Sequence, residues 1–398
     1  MSPINGEQEA KSDVSAAEAA YRYDVVDFGA KPDGRTDSSA AFAAAWFAAC
    51  RSPEPAAVYV PKGHFLLRHA AFTGPCFGRM TVRIDGTLVA PSGYTGRGST
   101  GGRDEWIVFD HVDGLTVSGG TVDGRGEALW ACKAAGHGGC PGGATSLTVL
   151  NSRDVVISGL RSVDSELYHV VIDGCEGVTL QDVEIVAPAS SPNTDGIHVQ
   201  ASSRVTVTRA SIRTGDDCVS IGPGTSNLLV ERVSCGPGHG ISIGSLGKES
   251  EEKGVENVTV TGAAFAGTEN GLRIKTWARA AAEGAYVRGV VFRHALMRGV
   301  RNPIIIDQNY CPNHGAGAGA GCPHQSSAVK ISDVTYADIQ GSSASRVAVK
   351  FDCSATNPCS GIGLQDIRLT VDGGKPAEAT CQHADGRAYG YVVPPSCL

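Results

Sequence analysis

Several features are scarce or missing in this chain of 398 residues, and each absence narrows what it can be. No apolar run approaches the ~18 residues of a membrane-spanning helix, so no membrane association is expected. The formal charge is −7, with 34 Lys and Arg against 41 Asp and Glu, and no basic tract stands out. That balance argues against nucleic acid as a partner. The 52 glycines follow no collagen-like period and point instead to many tight turns. No C-x-x-C pair occurs and the histidines lack ligand spacing, which removes the common zinc patterns. No metal and no cofactor are therefore expected. Asn-Gly hairpin turns are few, which weakens a sandwich built from hairpins.

Cysteine, by contrast, is plentiful: there are 13. "CKAAGHGGC" (Cys132, Cys140), "CPNHGAGAGAGC" (Cys311, Cys322), "CSATNPC" (Cys353, Cys359) and "CQHADGRAYGYVVPPSC" (Cys381, Cys397) read as short disulfide-closed loops. Such loops belong to an oxidising compartment and predict a secreted protein. The odd count leaves one thiol over, and Cys175, among strand-like residues in "VIDGCEGVTL", is expected to be the buried, unpaired one. The first twenty residues have no apolar h-region and read as a disordered tail of a mature or re-engineered form, with residues 21–398 as a single domain. Asn257, in "NVT", is the only candidate for glycosylation.

A repeat organises most of the chain. The pattern small/polar–V–x–V recurs nine times: "GLTVSGG" at 114, "DVVISGL" at 154, "GVTLQDV" at 177, "RVTVTRA" at 204, "NLLVERV" at 227, "NVTVTGA" at 257, "GVVFRHA" at 289, "AVKISDV" at 328 and "GIGLQDI" at 361. The starts lie 23 to 40 residues apart. These alternating strands leave no room for regular helices between them, which excludes an α/β barrel or a doubly wound sheet. A propeller needs ~40–50 residues per blade. The spacing predicts an all-β fold, a right-handed parallel β-helix of about ten coils. The segment 38–50, "SSAAFAAAWFAAC", predicts one amphipathic helix capped by Ser38 that covers the N-terminal end of the solenoid. The disulfide-rich C-terminal tail is expected to close the other end.

In such a solenoid, residues one coil apart stack ~4.8 Å apart. "SPNTDGIHV" supplies Asn193 and Asp195, and "TGDDCVSIG" supplies Asp216 and Asp217 one coil on. "GPGHGISIGS" then supplies His239, and "NGLRIKTW" supplies Arg273 and Lys275 after an insert at 247–256. Each segment is a polar cluster leading into an apolar strand, so all four are expected at one strand position on successive coils. Taken singly, a Gly-Asp pair or a Gly-flanked His is ordinary turn material. Aligned on four coils, they read as a site. Crowded carboxylates raise one another's pKa, so one can stay protonated while another is ionised, the pairing that glycoside hydrolysis uses. The neighbouring Arg and Lys suit a carboxylate, which predicts an acidic polysaccharide as substrate.

"NTD", "DD", "GHG" and "RIK", in this order and spacing, resemble the four signature motifs of the polygalacturonases, glycoside hydrolase family 28. The similarity runs from about Tyr23 to the C-terminus. It includes "YDVVDFGAKPDGRTD" and "NPIIIDQNYCP", and its style is that of the plant branch. A second "GHG" at 136–138 lies outside the register and reads as a decoy. The resemblance implies inverting hydrolysis of α-1,4-galacturonosyl linkages in homogalacturonan. Asp216 would be the general acid, Asp195 and Asp217 would activate water, and His239 would hold Asp216 in its working protonation state. Arg273, Lys275, Asn193 and Tyr310 would bind the sugar. Inverting carboxylates ordinarily stand ~6.5–9.5 Å apart, wider than one coil spacing. The family pattern also suggests a Cys218–Cys235 bridge, and Cys50–Cys76 completes the proposed set. It further implies a secreted, cell-wall enzyme, a monomer, with a polygalacturonase-inhibiting protein as a possible partner. Activity would be favoured at mildly acidic pH, where Asp216 carries its proton. Endo action is the first expectation and exo action the alternative. Hydrolysis of rhamnogalacturonan or xylogalacturonan, a calcium-dependent lyase and a non-catalytic carbohydrate-binding scaffold remain as rivals.

Overall fold

The computed structural model describes residues 21–93, 105–136, 139–279, 284–311 and 326–398. The first twenty residues, read above as a tail, lie outside the described residues. Eleven short strands, from Ala70–Thr73 through Ile197–Gln200, Val219–Ile221, Ile241–Leu246 and Asn270–Trp277 to Glu378–Gln382, form one parallel sheet. A second sheet of 23 strands holds two further ladders. They merge where Tyr286–Val300, Lys330–Ser343 and Cys359–Val371 run through both. The chain is a right-handed parallel β-helix.

Inward residues stack in columns. Val170, Ile197, Val219, Ile241, Leu272, Ile304 and Val349 pair in register and are all buried. β-branched side chains fit this pleated stacking, and each buried one contributes ~1.5–3 kcal/mol. One continuous apolar core results, from Val25 to Ala377.

The repeat has a backbone cause. Its first residue is left-handed in eight of the nine repeats: Gly114 (φ 72°), Asp154 (53°), Gly177 (72°), Arg204 (54°), Asn227 (53°), Asn257 (55°), Gly289 (63°) and Gly361 (65°). Gly, Asn and Asp tolerate that conformation best, so they recur there. One repeat was misregistered from sequence. The residue level with Gly289 and Gly361 is Asp333 (φ 54°), so the unit begins at "DVTYADI" rather than at 328. In "AVKISDVTY" the alternation runs through both frames, and only the left-handed turn distinguishes them.

The N-terminal helix spans Ser39–Cys50 and buries Ala41, Phe42, Ala45, Trp46 and Ala49 against the first coils. It is not amphipathic, because its outer face is also apolar and Phe47 is 62% exposed. Ser38 stands at the cap position without capping. Its hydroxyl instead accepts the Lys31 N–H (3.0 Å), while Asp37 Oδ1 accepts the Ser39 N–H (3.0 Å). A second helix, Glu127–Ala134, was not expected from sequence; it carries Cys132, which is bonded to Cys140. At the far end Cys381–Cys397 ties down the tail, and Leu398 packs on the core. Cys50–Cys76, Cys218–Cys235 and Cys353–Cys359 are also bonded, and Cys175 is a buried free thiol. Cys311 is disulfide-bonded, whereas Cys322 lies outside the described residues. Asn257 is exposed on an outer ladder.

Candidate active site

Asp195, Asp217 and His239 each precede by two residues the mutually paired Ile197, Val219 and Ile241, so they stack on three successive coils. Backbone bonds lock the stack: Gly196 N–H to Asp217 C=O (2.9 Å), Cys218 N–H to Gly240 C=O (2.7 Å) and His239 N–H to Asp216 C=O (2.7 Å). Glycine is required at 240, where a Cβ would lie 2.1 Å from the Asn270 carbonyl oxygen. Cys218–Cys235 bridges the acid-bearing coil to the next. Arg273 and Lys275 do not share this strand position, contrary to the sequence reading; Asn270 takes it instead. They sit within the strand Asn270–Trp277, where alternation points Leu272 and Ile274 inward and sends 273 and 275 to the outer face.

Their long side chains reach back to Asp217. Arg273 Nη2 donates to Asp217 Oδ1 (2.8 Å) and Lys275 Nζ to Oδ2 (2.7 Å). The Ser242 hydroxyl donates to Oδ1 (2.8 Å) while accepting from Arg273 Nε (2.9 Å). Asp217 is fully buried, at 0% exposure. Burial alone would raise its pKa, but Lys275 and Arg273 together outweigh burial and lower it to about 2. Asp195, 7% exposed, has the opposite balance. Burial, then the charges of Asp216 and Asp217, push it well above the carboxylate range, and the more distant Lys275 offsets only part of this.

Asp216 is half-buried. Its Oδ1 accepts the Asp217 N–H (2.8 Å) and His239 Nδ1–H (3.0 Å). The bond to Asp216 raises the pKa of His239. Asp216, Asp217 and His239 bring ligand-type atoms within 4.8 Å of one another. That is tighter than the usual separation in an inverting pair. A cation could use this spacing, but Asp217 is already neutralised by two basic side chains, so the donor set is a poor one for calcium.

A cleft of about 670 Å³ opens over this stack. Asp195, Asp216, Lys275, Asn193 and Tyr310 line it; the fully buried Asp217 does not, nor do His239 and Arg273. Asn193 is left-handed (φ 58°) and exposed. Lys275 Nζ lies 5.4 Å from the centre of the Tyr310 ring, which meets the Trp277 ring edge to face. The "GHG" at 136–138 is only partly described: His137 and Gly138 lie outside the described residues.

Sequence reading missed several polar residues here. Ser220 and Ser242 share an outward column with His198 and Arg273. His198 Nδ1 meets Ser220 Oγ (2.8 Å) and its Nε2 meets Gln200 (3.2 Å), which donates to Asp173 (2.8 Å). Tyr168 stacks on the His198 ring at 5.1 Å. The available signal was alternation: these are the polar residues between apolar ones in "GIHVQ", "VSI" and "ISI".

Comparison with known proteins agrees with this architecture. The polygalacturonase of Prunus persica is 54% identical over 385 residues, 96% of this chain and 95% of that protein. An exopolygalacturonase of Platanus acerifolia is 41% identical, across 94% of this chain and 96% of its own length. The crystal structure of an endo-xylogalacturonan hydrolase from Aspergillus tubingensis superposes with TM-score 0.75 at 25% identity, covering 90% of this chain and 98% of that one. Polygalacturonase from Erwinia carotovora gives TM-score 0.71 at 23% identity, covering 94% and 96%. The model for glycosyl hydrolases family 28 matches residues 50–391, and on that match and the peach relative this chain belongs to glycosyl hydrolases family 28.

Proposed function

We propose that this protein hydrolyses α-1,4-galacturonosyl linkages of pectin homogalacturonan with inversion. Asp216 protonates the glycosidic oxygen from the cleft wall. Asp195 and Asp217 orient the attacking water and Asp217 takes up its proton, with the water to one side of Asp216. Lys275 and Arg273 bind the galacturonate carboxylate, with Asn193 and Tyr310 completing the subsite. That carboxylate competes with Asp217 for both cations, and drawing them off frees Asp217 oxygens for the water. A neutral methyl ester could not do this. The observation that carries the reading is the grouping of Lys275 and Arg273 on a buried Asp217 beside a cleft lined by Asp195 and Asp216. The same cations count against a calcium-dependent lyase.

The decisive experiment is reducing-sugar release from polygalacturonate by Asp216→Asn, expected to fall at least ~100-fold, the usual contribution of a positioned acid. Release at the wild-type rate would defeat the assignment. Endo action is the first reading. Exo action is the second, favoured by the similarity to the Platanus exopolygalacturonase. Sizing early products separates them: mixed oligomers for endo, monomer or dimer alone for exo. The disulfides support residence in an oxidising, extracellular setting such as the cell wall, and residues 21–398 are read as one catalytic unit.

A further inference from the structure

His239 faces a carboxylate on each side. Nδ1 lies 3.0 Å from Asp216 Oδ1, and Nε2 lies 3.4 Å from Glu269 Oε2. Glu269 comes from the next coil, just before the strand carrying Arg273 and Lys275, and no motif pointed to it. Its backbone is clamped on both sides: its N–H donates to the Gly238 carbonyl (2.8 Å), and its carbonyl accepts the Asn302 N–H (2.9 Å). The carboxylate is thus delivered to His239 from a fixed frame while remaining about half-exposed.

Proton counting decides what this geometry favours. A neutral imidazole has one N–H and can donate to only one of the two carboxylates, leaving a lone pair facing the other. An imidazolium donates to Asp216 and still turns a positive N–H edge toward Glu269 at 3.4 Å. We propose that Glu269 is a positioning residue that keeps His239 as an imidazolium against Asp216. The charged groups around the ring are Asp216, Glu269 and the more distant Asp217, all acidic. The cations of the site, Arg273 and Lys275, are bound to Asp217. The His239 shift is upward: the bond to Asp216 is its main cause, burial opposes it, and Glu269 adds a smaller push in the same direction. The consequence rests on reading Asp216 as the general acid. When Asp216 gives its proton to the leaving oxygen it becomes a carboxylate, and the imidazolium beside it stabilises that charge. Above the titration of His239 this help is lost. Glu269 therefore extends activity toward higher pH without touching substrate.

The test compares wild type with Glu269→Gln and Glu269→Lys. The His239 ring is titrated by NMR, its signals identified by their loss in His239→Gln, and kcat/KM on polygalacturonate is followed across pH. In Glu269→Gln the His239 titration moves to lower pH, and kcat/KM on the alkaline side falls roughly 1.5- to 5-fold, the range for one partly exposed ion pair. The acid plateau and KM there stay unchanged. Charge reversal in Glu269→Lys gives a larger displacement in the same direction. An unmoved His239 titration in both variants overturns the proposal. A moved titration with an unmoved rate profile leaves the hold of Glu269 on the imidazolium standing and overturns instead the catalytic reading of Asp216 and His239.

Discussion

Asp195 and Asp217 occupy the same position on adjacent coils, yet their surroundings drive them apart. Asp217 is buried with a guanidinium, an ammonium and a hydroxyl on its two oxygens. Asp195 lies one coil back, also buried, where burial and the charges of Asp216 and Asp217 outweigh Lys275. The fold is the same at both places; what differs is which side chains reach them from the strand Asn270–Trp277. A β-helix can thus give identical residues on adjacent coils pKa shifts of opposite sign. It does so by placing counter-charges a fixed number of coils away. An ionised carboxylate beside a neutral one is an arrangement that acid–base chemistry needs.

The sharpest way to break this asymmetry is to remove the charge of Asp217. Asp217→Asn leaves Arg273 and Lys275 buried without their counter-ion and is expected to cost ~3–5 kcal/mol of stability at neutral pH. A carboxylate whose folded pKa is depressed stabilises above its unfolded value and loses that contribution as pH falls through the folded one. The cost should therefore shrink between the ordinary 3.8 and about 2, which urea unfolding across pH would reveal. A constant cost over that window would mean that packing, not charge, holds the site.

Ser242 offers a smaller perturbation. Its hydroxyl touches both Asp217 and Arg273, so Ser242→Ala should destabilise by ~1.5–3 kcal/mol, the range for hydrogen bonds to charged groups. Chemical denaturation would measure this, and a neutral substitution would show that the two ions hold each other unaided.

Asp195 should respond with the opposite sign. A raised folded pKa means that the native state keeps a proton the unfolded chain has released, so stability falls as pH rises above the unfolded value. Asp195→Asn mimics the neutral acid. It should raise Tm at neutral pH by on the order of 2 °C and leave it unchanged well below the ordinary carboxylate pKa. Activity should be lost. A Tm that falls at neutral pH would show Asp195 to be ionised and satisfied.

Some of this was legible in advance because it lies in local chemistry. The left-handed turns favour Gly, Asn or Asp, and the strands favour alternating β-branched residues, so most coils could be counted from the chain. The frame at 328–333 was lost because two alternating frames overlap in "AVKISDVTY" and turn geometry alone separates them. The cap at Ser38 misled because neighbouring Asp37 does the same work with a charged oxygen. Ser242, His198 and Glu269 passed unnoticed since none belongs to a motif, and each matters only through a residue 22 or more positions away.

By itself, the order of residues determined the repeat, the strand faces and which polar groups fall on successive coils, because those follow from backbone preferences within a few residues. Only the tertiary structure decided which carboxylate is held below the ordinary range and which is pushed above it. That depends on burial and on whether Lys275 or Arg273 stands 2.7–2.8 Å away, as at Asp217, or farther off, as at Asp195. Coulomb energy and desolvation vary steeply over such distances, and no local pattern in the chain encodes them.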